Sequence, residues 1–204
     1  AVIDAKPDVM ITIDSPDFSL RVAKLVKAET NIRCVHYVAP SVWAWRPGRA
    51  VKMAKVIDHV LALLPFEPPY MEAAGMECDF VGHPIAGERV ATGAEAAAFR
   101  THHGLEDADP LLLVLPGSRR GEVTRLAPTL GEALKPLVLA HPKLKVVVPA
   151  AGPVAQLVQE QAKDWPVSPL VLDPRKQSLV DALAEKRAAF RAADFAIAAS
   201  GTVM

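Results

Sequence analysis

Three stretches of this chain set chemically capable side chains directly behind apolar runs. In IDSPDF (Ile13–Phe18) two carboxylates, Asp14 and Asp17, follow the run VMITI. A carboxylate within hydrogen-bond reach of an acceptor hydroxyl can take its proton as a general base. The same residues can instead serve an Asx-turn (Asp14) and a helix N-cap (Asp17), and spacing alone leaves both readings open. In VLPGSRRGEV (Val114–Val123) an apolar run ends in Gly117, Ser118, Arg119 and Arg120. Backbone N–H groups of such a turn can form an anion nest, and arginine can clamp phosphate bidentately. A solvated basic turn is the plain alternative. The stretch is neither a Walker loop nor a G-x-G-x-x-G fingerprint. ASGT repeats the logic with Ser200, Gly201 and Thr202, small residues that would open a helix whose N-terminus attracts phosphate. Two such loops in one half of the chain point to a diphosphate ligand.

Other candidates are weaker. VAPSVWAWRPGR (38–49) carries Ser41, Trp43 and Trp45 in a loop bounded by prolines. The tryptophans read either as core anchors or as an apolar or sugar-binding wall. His83, in GHP, stands at a strand end and can line a cleft, whereas His36 and His59 fall inside strands. Asp8 precedes its strand, so position alone makes it structural. The DAD stretch at 107–109 likewise precedes a strand and so lies at the wrong end for a metal-binding Asp-x-Asp. No His/Cys/Asp cluster has metal spacing. Cys34 and Cys78 lie in apolar runs without C-x-x-C spacing, which fits buried thiols in a reducing compartment.

The elements that must position these residues alternate along the chain. Strands are predicted at 9–13, 33–38, 59–64, 78–81, 111–115, 144–148, 170–172 and 195–198. Helices are predicted at 19–28, 49–57, 68–74, 94–102, 128–140, 154–163 and 179–193, with Pro128 and Pro153 in first helical turns. Continuous apolar strands separated by helices predict an α/β fold with parallel sheets covered on both faces. The period breaks between Gly82 and Pro110. This divides the chain into 1–84, a linker at 85–108, and 109–204. Ligands of open parallel sheets bind beyond the carboxyl ends of the strands, where the candidate loops fall.

The chain has 204 residues, 51% of them apolar, with 23 basic and 23 acidic side chains. Zero net charge and the lack of a basic patch argue against a nucleic-acid partner. No apolar stretch approaches the ~20 residues of a membrane span. Ala1 is not a start methionine, and the closing AIAASGTVM reads as a strand turning into something else. An internal portion of a longer protein, truncated at both ends and cytoplasmic, is expected.

In order, KPDVMITIDSPDF, HYVAPSVWAWRPGR, LPFEPPYMEAAG, FVGHP, LPGSRRGEV and AASGTV resemble the lipid-A-disaccharide synthase family of bacterial glycosyltransferases. The resemblance implies two Rossmann-like halves facing a cleft, the glycosyltransferase-B arrangement, with an acceptor-side first half and a UDP-sugar-binding second half. It implies transfer from UDP-2,3-diacylglucosamine to 2,3-diacylglucosamine 1-phosphate (lipid X), with inversion and without metal or cofactor, at the inner-membrane surface. Asp17 would be the base and Arg119 would stabilise the departing diphosphate. Gly117, Ser118 and Ser200–Thr202 would hold the nucleotide phosphates. Asp14, Ser41, Trp43, Trp45 and His83 would face the acceptor. Asp8 falls in a family motif and is carried as a third catalytic candidate. Another UDP-N-acetylglucosamine transferase or epimerase of this fold, or a non-catalytic nucleotide-sugar-binding module, are the alternatives.

Overall fold

A computed structural model describes residues 1–199, which fall into two compact units, Ala1–Glu88 and a second that begins at Arg89. The first unit runs α1 (Val2–Ala5), β1 (Val9–Ile13), α2 (Pro16–Glu29), β2 (Arg33–Tyr37), α3 (Gly48–Met53), β3 (His59–Ala62), α4 (Pro68–Glu72) and β4 (Glu77–Phe80). Its four strands are parallel in the order β1-β2-β3-β4. Successive strand residues point to opposite faces, so Met10, Cys34 and Val60 meet Ala23 and Val26 of α2, Met53 of α3 and Met71 of α4 in one core. The other face of β1 carries Val9, Ile11 and Ile13, which are 42%, 60% and 68% exposed. Within this chain that face of β1 carries no helix, since α2, α3 and α4 all join the core on the other face. The short α1 precedes the first element expected from the sequence.

The second unit runs α5 (Gly93–His102), β5 (Leu111–Leu115), α6 (Arg120–Ala140), β6 (Lys145–Pro149), α7 (Ala155–Gln161), β7 (Leu170–Leu172), α8 (Leu179–Ala192) and β8 (Phe195–Ala198). Its sheet is parallel in the order β7-β6-β5-β8. Here both faces are covered. Leu112 and Val114 of β5 face Val123, Leu130 and Leu134 of α6. Leu111, Leu113 and Leu115 face Phe99 of α5 and Ala189 and Ala192 of α8.

Much of the segment expected to be a linker belongs to this second core. Thr92 and Glu95 start α5 with a capping box, the Thr92 hydroxyl accepting from Glu95 N–H (3.2 Å) and the Glu95 carboxylate from Thr92 N–H (2.8 Å). Buried Arg100 then donates to the carbonyls of Glu106, Asp109 and Ala192 (2.9–3.0 Å) and to the Asp194 carboxylate (3.1 Å). A buried guanidinium is tolerable only when so paired, and these bonds tie α5 to α8 and to the starts of β5 and β8. Helix α6 also departs from expectation. It begins at Arg120, leaving Pro128 and Pro136 in its interior, where each removes one helical hydrogen bond. Pro153 does sit in a first turn, that of a 3₁₀ segment at Gly152–Val154.

Candidate functional site

In the second unit the chain leaves β5 toward β6 on one side and returns as β8 on the other. The carboxyl ends of β5 and β8 thus form the crevice where open α/β sheets take ligands. A cavity of about 500 Å³ opens there, floored by Leu115, Pro116 and Ala199. Three cations line it: Arg119 from the loop, Arg125 from α6 and Lys186 from α8. Glu122 lines it too, and Phe190 adds an aromatic wall. Arg120, the first residue of α6, is exposed and not among the lining residues.

The loop that opens this cavity is tightly built. Gly117 takes φ +107°, a conformation that L side chains rarely adopt. Ser118 N–H and Arg119 N–H both donate to Glu122 Oε2 (3.0 and 3.1 Å), while Arg119 Nη1 donates to Glu122 Oε1 (2.8 Å). The Ser118 N–H, expected to meet phosphate, is therefore engaged by a carboxylate of the chain itself. Those bonds, Ser118 N–H foremost, hold the Glu122 carboxyl below its ordinary range. Ser200, Gly201 and Thr202 lie outside the described residues.

A second hollow of about 190 Å³ adjoins the first and shares Pro149, Ala150, Ala151 and Lys186 with it. It is walled mainly by apolar residues such as Leu172, Leu179 and Leu183. Behind it Asp173 takes a three-point grip from Arg175, through the backbone N–H (3.1 Å), Nε (2.9 Å) and Nη2 (2.7 Å). The Arg175 guanidinium thereby depresses the Asp173 carboxyl to about 2.

In the first unit all the candidates but Asp8 lie in segments that follow the carboxyl ends of strands. Asp14 (φ +49°), Ser15 (φ +48°) and Val38 (φ +87°) follow β1 and β2 in left-handed conformations. For a β-branched residue this is an outlier, and such strain of about 1–3 kcal/mol per residue tends to collect at functional sites. Ser19 Oγ donates to the Asp14 carbonyl (2.8 Å) and Asp14 N–H to the Tyr37 carbonyl (3.0 Å), fixing the turn. The N-cap of α2 is Ser15, so Asp17 is not a cap; it lies in the first turn, with Arg49 Nη2 3.6 Å from its exposed carboxylate. Behind them His36 is buried and bonded through Nδ1 to Thr12 Oγ1 (2.7 Å); burial lowers its pKa.

The loop after β2 presents Ser41, Trp43 and Trp45 at the surface. Trp43 packs edge-on against Phe66 (5.1 Å between centroids) and its Nε1–H donates to buried Glu67 (3.4 Å). Glu67 also accepts from Leu64 N–H (2.9 Å), so one buried carboxylate links the loops after β2 and β3. Trp45 is half exposed, with Arg46 and Arg49 over its ring at 4.5 and 5.2 Å. His83 caps the 3₁₀ turn after β4, its Nδ1 accepting from Ile85 N–H (3.1 Å). Asp8 stands at the opposite end of β1, roughly 20 Å from Asp14 at ~3.3 Å per residue; the fold does not bring it to the other candidates.

Glu122, Arg125, Lys186 and Glu67 were not legible as site residues. Arg125 follows Glu122 by one helical turn, a usable signal only if α6 starts at Arg120 rather than at Pro128. Among the described residues no group of three His, Cys, Asp or Glu is placed to hold a metal ion. Nor is any described helix long and apolar enough to cross a membrane. Cys34 and Cys78 are unpaired, Cys34 buried and Cys78 partly so; burial pushes both thiols up, that of Cys78 to about 11.

Two parallel-sheet units with ligand-type loops at their strand ends define an α/β protein of the glycosyltransferase-B type. Accordingly, a solved UDP-GlcNAc 2-epimerase from Neisseria meningitidis, bound to UDP-GlcNAc, matches 99% of this chain and 57% of its own (TM-score 0.67, 12% identity), a likeness of fold. The family is narrower: a model for lipid-A-disaccharide synthetase matches residues 1–204, and the chain belongs to that family. It is 66% identical over 203 residues to lipid-A-disaccharide synthase of Ruegeria pomeroyi and 50% identical over 204 residues to that of Rhodospirillum centenum. All of the chain is covered in both, against 50% and 49% of those relatives, so it spans about half their length.

Proposed function

We propose that the protein containing this chain is an inverting hexosyltransferase that joins UDP-2,3-diacylglucosamine to lipid X and releases UDP. The observation that carries the reading is the cavity at the β5/β8 crevice, where Arg119, Arg125 and Lys186 converge on a volume of about 500 Å³. Preorganised cations at the place where a leaving diphosphate gains charge are what such a transfer requires. Arg119 is the residue that meets the departing phosphates. The donor's nucleotide end lies in the second unit.

The acceptor side belongs to the first unit. Asp17 takes the proton from the acceptor 6-hydroxyl as its oxygen bonds to the anomeric carbon, and the bond from that carbon to the UDP oxygen breaks. Arg49 orients the Asp17 carboxylate. Asp14, Ser41 and His83 frame the sugar. Phe18, Trp43, Trp45, Phe66, Tyr70 and Ile85 are exposed on the strand-end side of this unit, with Arg46 and Arg49 among them. Aromatic and aliphatic groups beside cations suit acyl chains and an anionic membrane surface, which supports peripheral attachment to the inner membrane.

The test is product analysis by mass spectrometry, with acylated and non-acylated UDP-glucosamine as donors and lipid X as acceptor. A tetra-acyl disaccharide 1-phosphate from the acylated donor alone is expected. Turnover of the non-acylated donor would overturn the lipid reading, and tight UDP binding without product would make the protein a binding module. Asp17→Asn should cut turnover ~10²–10⁴-fold, the usual worth of a general base, with UDP affinity unchanged. Full activity in that variant would remove Asp17 from the mechanism.

A further inference from the structure

The loop after β5 carries an anion of its own. Glu122 sits in the first turn of α6, and its carboxylate turns back over the loop instead of outward to solvent. Its Oε2 collects Ser118 N–H and Arg119 N–H, and its Oε1 takes Arg119 Nη1. The chain is shaped around this group. A Cβ at position 117 would lie 2.7 Å from Glu122 Cβ and 2.8 Å from Oε2, so only glycine fits beside it. The carboxylate therefore stands where a ligand oxygen would otherwise meet those two N–H groups. Arg119, 82% exposed, would be unanchored without it.

We propose that Glu122 is the positioning residue of this cavity: an internal carboxylate that fills the backbone nest and holds the Arg119 guanidinium at the cavity wall. A diphosphate is then met by the side chains of Arg119, Arg125 and Lys186 rather than by backbone N–H groups. A guanidinium has five N–H donors, so the bond to Glu122 leaves Arg119 with donors for phosphate. The three lining cations outnumber the one lining carboxylate by two charges, which suits a dianion. Ser118 N–H, first among its hydrogen bonds, holds the Glu122 carboxyl below its ordinary range. The inference rests on the reading of this cavity as the diphosphate site.

A helix-capping role alone would produce the same hydrogen bonds, so the test must separate positioning from capping. In the intact protein, UDP and inorganic pyrophosphate are titrated calorimetrically into the parent, Glu122→Gln, Arg119→Ala and the double variant, and each is melted thermally. Glutamine can still accept the two N–H bonds and so preserves the fold. It loses the charge-assisted hold on Arg119. Glu122→Gln is expected to weaken binding about tenfold in the parent and less than twofold in the Arg119→Ala background, because the effect passes through Arg119. Equal loss in both backgrounds, tracking a lowered melting temperature, would reduce Glu122 to a cap and overturn the proposal. Tighter binding in Glu122→Gln would overturn it too, by making the carboxylate a competitor of the ligand. Binding of pyrophosphate without UDP would refute the nucleotide reading while the pyrophosphate cycle still decides the role of Glu122. Binding of neither would overturn both.

Discussion

One methyl group at position 117 should disable the nucleotide site while leaving the sheet intact. Gly117 holds φ +107°, where an L residue costs about 1–3 kcal/mol in backbone strain. The added Cβ would also approach Glu122 Cβ to 2.7 Å, against the ~3.5–4.0 Å of an ordinary carbon contact. Because that atom is the root of the side chain on α6, rotation cannot relieve the clash. The loop must move by about 1 Å, taking the Ser118 and Arg119 N–H groups away from Glu122 and Arg119 away from the cavity. A misplacement of ~1 Å can cost ~10²-fold in rate, and loss of one charge-assisted hydrogen bond is worth ~1.5–3 kcal/mol, or roughly 10–100-fold in affinity. Gly117→Ala should therefore weaken UDP binding by at least tenfold in titration calorimetry. The melting temperature should fall by several degrees, at ~2–4 °C per kcal/mol. A variant that binds UDP within twofold of the parent and melts with it would refute the account of this loop.

The remaining predictions concern neighbouring parts of the structure. Arg119→Ala should lower affinity for UDP roughly 10–100-fold, and Arg120→Ala less than twofold, because only Arg119 lines the cavity; equal losses in a titration would mean the loop faces the other way. Gly131→Ala should destabilise the second unit by ~1–3 kcal/mol in chemical denaturation. The new Cβ would lie 2.7 Å from Trp165 Cδ1, displacing an indole whose Nε1–H donates to the Ala127 carbonyl at 2.9 Å, and this outweighs the ~1 kcal/mol gained in helix propensity; unchanged or raised stability would contradict the packing. Asp173 has a folded pKa of about 2, below its ordinary carboxylate value, so its contribution is full above pH ~4 and is lost as pH falls through 2. Asp173→Asn should therefore flatten the melting temperature against pH between 4 and 2, and parallel curves for variant and parent would refute the assignment.

The strands were legible because parallel strands buried among helices read as continuous apolar runs, and β5, with all five residues buried, is the clearest case. Their ends were less so. The strand at 33–38 stops at Tyr37 because Val38 turns to φ +87°, a conformation that no residue type at that position announces. Pro128 misplaced the start of α6, as proline suits a first turn in general but is here accommodated inside a long helix. That error hid Arg125, because a side chain can be assigned to a helix face only when the helix is known to exist there. Lys186 and Phe190 enter the cavity through the packing of α8, far along the chain from the loop they face. That Asp14, Asp17, Trp43 and Arg119 lie in loops beyond strand ends was legible, because such placement depends only on where a strand ends. Glu122 stands three residues beyond an N-cap, the usual capping-box position, but that signal exists only once α6 is known to start at Arg120.

The most direct measurement is a crystal structure of the intact protein with UDP. The account predicts the diphosphate in the β5/β8 crevice, within hydrogen-bond reach of the Arg119 guanidinium and in contact with Arg125 or Lys186. It also predicts that the Glu122 carboxylate remains on the Ser118 and Arg119 N–H groups. A diphosphate bound elsewhere, with Arg119 turned to solvent, would contradict the account at its centre.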